Sequence, residues 1–484
     1  VDEGGREETE GLARQVFTGS APCRTTTSAR PLPKGPLPVG VIETRLKPRK
    51  SETARTMTVT KTLNVDALAQ TMSIDDMAED ELNRGTLRLL RDDDASLPHL
   101  RLWGTGEDAQ EHGDYHPGSS EELSWLGHFA KRSTHLKTIH FLWAGIFEKC
   151  SEQSIDRFFE DLGRCHHVKT MRFDDADLTE FVDKLGPVVK NNDITNFFSD
   201  GSYLGVSEAN ALFNTFSDMK SLEDLWISYD NYDFGDDSDN DLDDDIMARC
   251  IPSLAGCTCM QRLILKDMRM SSKSCAALSA IFPHMAGLQE LDLAGNLFDG
   301  NCVQSLARGL VECRSLRTLR LSRNRIGDDG LAMLIQGLPT SIVSLDLSYN
   351  EIETGWNAFL LFLCDPTSIN ATHGSNHILR YVGYTANISR DVITMLRLNC
   401  GKDKSHVAAM KILQTHRHLD MRPLFDRELD LLPCVVAWLE RFADSRPVLK
   451  LSSIFDFVRA MPMVVVDGIA GEKKGKGLRR NNGL

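Results

Sequence analysis

The chain lacks most of the features by which specialised protein classes are recognised. Its longest apolar stretches, around Phe359–Cys364, Leu431–Leu439 and Met461–Val466, fall short of the roughly 18 to 20 residues a membrane helix needs. Twelve cysteines contain no CxxC pair, Cys257 and Cys259 being one residue apart. That pattern indicates neither a zinc ribbon nor a disulfide framework. No positively charged start leads into a short apolar core, so secretion has no support. The sequons Asn370-Ala371-Thr372 and Asn387-Ile388-Ser389 then carry no weight. HExxH, GxSxG, kinase and dinucleotide fingerprints are all missing. No residue reads as a nucleophile, general base or cofactor ligand, so no enzyme activity and no cofactor are expected.

What is present is a chain that can bury a core. Hydrophobic residues make up 41% and charged residues 26% of 484, enough for two or three domains or one elongated array. Net charge is −14, and the ends are basic, so the body is more acidic than the total. An acidic body argues against nucleic acid as the main partner, because that affinity comes from clustered Lys and Arg. Residues 1–56, broken by Pro31, Pro33, Pro36, Pro38 and Pro48, read as a disordered basic leader, or as upstream sequence joined to a protein beginning at Met57. Their composition also suits an organelle transit peptide. Residues 468–484 read as a disordered basic tail.

The informative feature is repetition. Leu288-x-x-Leu291-x-Leu293-x-x-Asn296-x-Phe298 recurs as Leu316-x-x-Leu319-x-Leu321-x-x-Asn324-x-Ile326. A third copy is Ile342-x-x-Leu345-x-Leu347-x-x-Asn350-x-Ile352, and the spacings are 28 and 26 residues. Weaker copies stand upstream at Met260/Leu263/Leu265, Leu222/Leu225/Ile227, Ile194/Phe197/Ser199, Val168/Met171/Phe173 and Leu136/Ile139/Phe141, with a degenerate one at Leu97. Leu379/Val382/Tyr384/Asn387 fits downstream. The alternating core predicts a short strand, Asn predicts a turn, and Val303, Leu306, Ala307 and Leu310 predict a following helix. One such unit cannot bury its apolar face alone, so the units must stack.

The period, the helix in each unit and the run Asn324-Arg325-Ile326-Gly327-Asp328-Asp329-Gly330-Leu331 resemble the ribonuclease-inhibitor type of leucine-rich repeat. The resemblance implies an α/β right-handed solenoid, a horseshoe with parallel concave strands and convex helices. It also implies a protein-binding module of the cytoplasm or nucleus, rich in free thiols. The expected layout is an N-terminal cap over 57–135, a solenoid over 136–400 and a helical C-terminal cap over 401–467. Ser119-x-x-Glu122 reads as a capping box opening the helix of the N-terminal cap. His406–Gln414, Pro433–Phe442 and Leu451–Met461 read as helices covering the other end, or as a separate helical domain.

Other constellations read weakly. Gly471…Gly475-Lys476 is one residue short of a phosphate loop, and Asp237-x-Asp239-x-Asp241 lacks the Gly and Glu of a calcium loop. His112 with His116 sits in a Gly/Pro loop, and Cys165-His166-His167 has no second cluster. No metal is expected. The repeat register instead gives a solvent-facing row, because strand residues alternate faces. The position between the second and third apolar residues holds His140, Arg172, Phe198, Trp226, Ile264, Asp292, Arg320 and Asp346. Just after the strands come Trp143, Tyr229, Arg323 and Tyr349. Aromatics and Arg in such a row are the composition of protein interfaces. The expectation is a monomeric, non-catalytic scaffold whose concave face binds a protein, with no membrane partner. Two alternatives from the same resemblance are a GTPase activator of the Ran-activating type and a ubiquitin-ligase substrate receptor. The acidic run Asp236–Asp245 lies inside the array rather than after it, which departs from the first. No adaptor box over 57–95 supports the second.

Overall fold

The computed structural model describes residues 68–69, 71–104, 113–229, 242–385 and 387–416, all within one of two compact units, Leu63–Leu484. The leader, the tail, the calcium-like Asp237–Asp241 run and the expected helices Pro433–Phe442 and Leu451–Met461 lie outside these residues.

Ten strands form one parallel, open, curved sheet: β1 His99–Trp103, β2 Asp114–Tyr115, β3 Thr138–Leu142, β4 Thr170–Asp174 and β5 Asn196–Asp200, then β6 Asp224–Ser228, β7 Arg262–Lys266, β8 Glu290–Asp292, β9 Thr318–Arg320 and β10 Ser344–Asp346. They follow chain order from β10 back to β3, then β1, with β2 at the edge. The partners match the repeat alignment residue for residue, Leu263 beside Leu291, Leu291 beside Leu319 and Leu319 beside Leu345. Helices on the convex side follow the strands, including Glu152–Leu162, Val206–Phe216, Gly300–Leu310 and Asp328–Gly337. The fold is the expected solenoid.

Burial explains the pattern. Leu291, Leu293, Leu319, Leu321, Leu345 and Leu347 are fully buried between sheet and helices, each contributing about 1.5–3 kcal/mol. Upstream, aromatic rings replace leucine. Phe141 stacks on Phe173 at 4.8 Å, and Phe173 meets Phe197 at 5.3 Å, so a column of rings runs through β3, β4 and β5.

The asparagines tie coil to coil. Asn296 Nδ2 donates to Leu265 O of the preceding coil at 3.0 Å, while its Oδ1 accepts from Met268 N and Met270 N. Asn324 and Asn350 repeat this toward Leu293 O and Leu321 O. Upstream, Ser202 Oγ donates to Phe173 O at 3.3 Å and accepts from Ala176 N. A hydroxyl does there what the amide does later.

Three expectations are corrected. The sheet begins at β1, whose Leu100 and Leu102 are buried beside Ile139 and Phe141, so the degenerate copy at Leu97 is a true coil. The helix Ser120–Ala130 therefore belongs to that coil and packs beside Glu152–Leu162, while Glu81–Arg91 lies ahead of it. Ser119 does cap it, accepting from Glu122 N at 3.2 Å, but Glu122 reaches Gly118 N, Glu79 N and Asn83 instead of closing the box. At the other end, among the described residues, the sheet continues as a bridge from Ser344 to Tyr381 rather than as a further strand. Val382 is buried, but Tyr384 in the third apolar slot is 75% exposed. The helices Arg390–Leu398 and Lys404–Thr415 follow. In the latter Lys411 is fully buried, donating to Leu363 O and Asn376 O, and burial lowers its ammonium to about 8.

Candidate functional site

The concave row exists as a register of neighbours. His140, Arg172, Phe198, Trp226, Ile264, Asp292, Arg320 and Asp346 stand side by side on successive strands. Its character changes along the sheet. At one end, His140 Nε2 and Arg172 Nε both lie 2.9 Å from Asp174. Burial alone would raise the Asp174 carboxyl, but these hydrogen bonds outweigh it and hold it below the usual carboxylate value. In the middle, Phe198 and Trp226 meet edge-on at 6.4 Å, and the Lys266 ammonium sits 5.9 Å from the centre of the Trp226 ring. Toward the other end, Arg320 pairs with Glu290 and lies 3.6 Å from Asp292.

The row after the strands is built by the backbone. Trp143, Asp175, Gly201, Asp267, Gly295, Arg323 and Tyr349 occupy equivalent positions with φ of 69°, 51°, 62°, 55°, 71°, 54° and 57°. This left-handed turn carries each chain out of the sheet. Glycine takes it without strain, and at Gly295 a Cβ would run into the Asp267 carboxylate. A larger residue pays about 1–2 kcal/mol for the same geometry. Trp143 and Tyr349 nevertheless stand there 39% and 69% exposed, and Arg323 lies 5.9 Å over the Tyr349 ring.

Not every expected side chain is on offer. Tyr229 is only 5% exposed and packs near Tyr203 at 6.4 Å; it lacks the left-handed turn of its column. Asp292 is 6% exposed, with Oδ1 accepting from Ala294 N and burial raising its carboxyl. Ile264 is also buried. Tyr381 is 50% exposed on the concave side next to β10. A third row, missed by reading only two positions per repeat, holds Asp174, Asp200 and Lys266. It lines a groove of about 570 Å³ together with Asp175, Ser228, Tyr229, Arg269 and Arg323. The same register, taken one residue earlier, exposes it.

Among the described residues, no group of three or more His, Cys, Asp or Glu side chains is placed to hold a metal ion. Cys165 is core, its thiol pushed up to about 12 by burial, while His166 and His167 are exposed.

A family model described as leucine-rich repeat matches residues 312–334, the span that carries Leu316, Leu319 and Leu321. That span of the solenoid carries a leucine-rich repeat. Solved structures to which the chain is similar include an internalin (inlF) from Listeria monocytogenes str. 4b F2365, 13% identical, covering 64% of this chain and 97% of that one with a TM-score of 0.33. Another is a TLR13–ssRNA13 complex, 12% identical, covering 56% of this chain and 35% of that one with a TM-score of 0.30. The groove and the aromatic pair both lie on the strand side of the sheet. No helix among the described residues is long and apolar enough to cross a membrane.

Proposed function

We propose that this leucine-rich-repeat chain is a non-catalytic scaffold that binds a protein partner on the concave face of its sheet. The observation that carries the reading is the centre of that face, where Phe198, Trp226 and Lys266 form one continuous contact surface. Aromatics and cations of this kind supply the large contact areas of interface hot spots. Exposed Tyr349 beside Arg323 extends the surface. The reading includes a monomer in the cytoplasm or nucleus. It is supported by the ten described cysteines, which are all free thiols, as in a reducing compartment.

The test is affinity capture with mass spectrometry using the parent chain and Trp226→Ala in parallel. The reading expects a defined partner recovered by the parent and depleted by the substitution, at an unchanged thermal midpoint. Equal recovery by both chains would remove the concave face as the binding site.

A further inference from the structure

We infer that the groove along the carboxyl ends of β4 to β9 takes an extended partner segment with segregated charge, basic at one end and acidic at the other. The inference rests on the concave-face reading above and adds the chemistry of the occupant. The groove is bipolar. Asp174, Asp175 and Asp200 line one end, Asp174 being already held by His140 and Arg172, while Lys266, Arg269 and Arg323 line the other. Neither Lys266 nor Arg323 pairs with a carboxylate among the described residues. Lys266 rests on the Trp226 ring and Arg323 on the Tyr349 ring, each at 5.9 Å. A cation held by a ring keeps donors for a second partner. In this half the Asp267 carboxylate lies against Gly295 and Asp292 is buried beneath the face.

The dimensions suit a short segment. Strands about 4.8 Å apart put β4 and β9 about 24 Å from each other, roughly seven residues of extended chain. A uniformly basic segment would leave Lys266 and Arg323 facing like charge. A uniformly acidic one would meet Asp174 and Asp200 on a chain of net charge −14. Only segregated charge satisfies both ends, and an apolar residue between the blocks would fall at Phe198 and Trp226.

The test uses the full chain and labelled synthetic peptides of one composition (lysines, glutamates and a central leucine), read by fluorescence anisotropy. One peptide has its lysines and glutamates in separate blocks, and the other has them interleaved. The blocked peptide is expected to bind about tenfold more tightly. Lys266→Glu combined with Arg323→Glu should abolish that preference and favour an all-lysine peptide, whereas Lys266→Gln should weaken it part-way. Thermal midpoints check that each variant is folded. Equal binding of blocked and interleaved peptides, or no binding of either at about 1 mM, overturns the inference. If charge order is immaterial but Trp226→Ala still loses the captured partner, only the charge inference falls. If Trp226→Ala is also without effect, the concave-face reading falls with it.

Discussion

Asn324 and Leu293 belong to different coils, and the Asn324 amide donates to the Leu293 carbonyl at 3.1 Å while its Oδ1 accepts from Phe298 N at 3.0 Å. One side chain thus satisfies backbone groups of the preceding coil that would otherwise be buried without partners. Asn324→Ala should cost about 1–3 kcal/mol, measured by denaturant unfolding, with capture of the partner retained by the folded fraction.

The aromatic column makes a second stability claim. Phe173 is fully buried and touches Phe141, Phe181 and Phe197. Phe173→Ala should cost about 3–5 kcal/mol through the cavity it leaves. Phe173→Leu should recover part of that. Chemical denaturation of the two variants beside the parent reads both values.

Asp244 predicts a pH dependence. It accepts from Ser271 N, Lys273 N and Ser274 N at the start of the helix Ser272–Ile281. Burial would raise its carboxyl, but the Ser274 side chain and these backbone donors bring it from 3.8 down to about 2. A group depressed in the fold stabilises above its unfolded value and loses that contribution as pH falls toward the folded value. The contribution, about 1 kcal/mol after solvent screening, should therefore be whole above pH 4 and vanish between about 4 and 2. Asp244→Asn should flatten that part of the stability profile and leave the rest parallel to the parent.

Trp226→Ala and Arg320→Ala should differ. Trp226 contacts Phe198 and Lys266 on the open face, so its loss should weaken partner binding by about 2 kcal/mol or more. Arg320→Ala should weaken binding too, but also leaves Glu290 and the buried Asp292 without their cation. Glu290 and Arg320 are partly exposed, and Lys266 still acts on Asp292, so the stability loss should stay near 0.5–1 kcal/mol. Paired titrations and melting curves separate the two effects.

The solenoid was legible because Leu291, Leu293 and their copies are buried on one face of short strands, which forces a period-two pattern at a fixed interval. The first coil was harder to see. Leu100 and Leu102 alternate properly, but no asparagine follows them. Side-chain register named the concave row but could not tell that Tyr229 turns inward or that Ile264 and Asp292 are covered. Those outcomes depend on neighbouring strands brought together from some thirty residues away. The bipolar groove was hidden for a simpler reason, since Asp174, Asp200 and Lys266 lie one residue before the row of Trp143, Arg323 and Tyr349.

Site-specific photo-crosslinking tests the central claim most directly. A photoreactive phenylalanine analogue would replace Phe198 on the concave face or Leu361, which is 52% exposed on the helix Trp356–Leu363. The account predicts a covalent adduct with the captured partner from position 198 and none from position 361. Adducts from position 361 alone would place the partner on the helical side and contradict it.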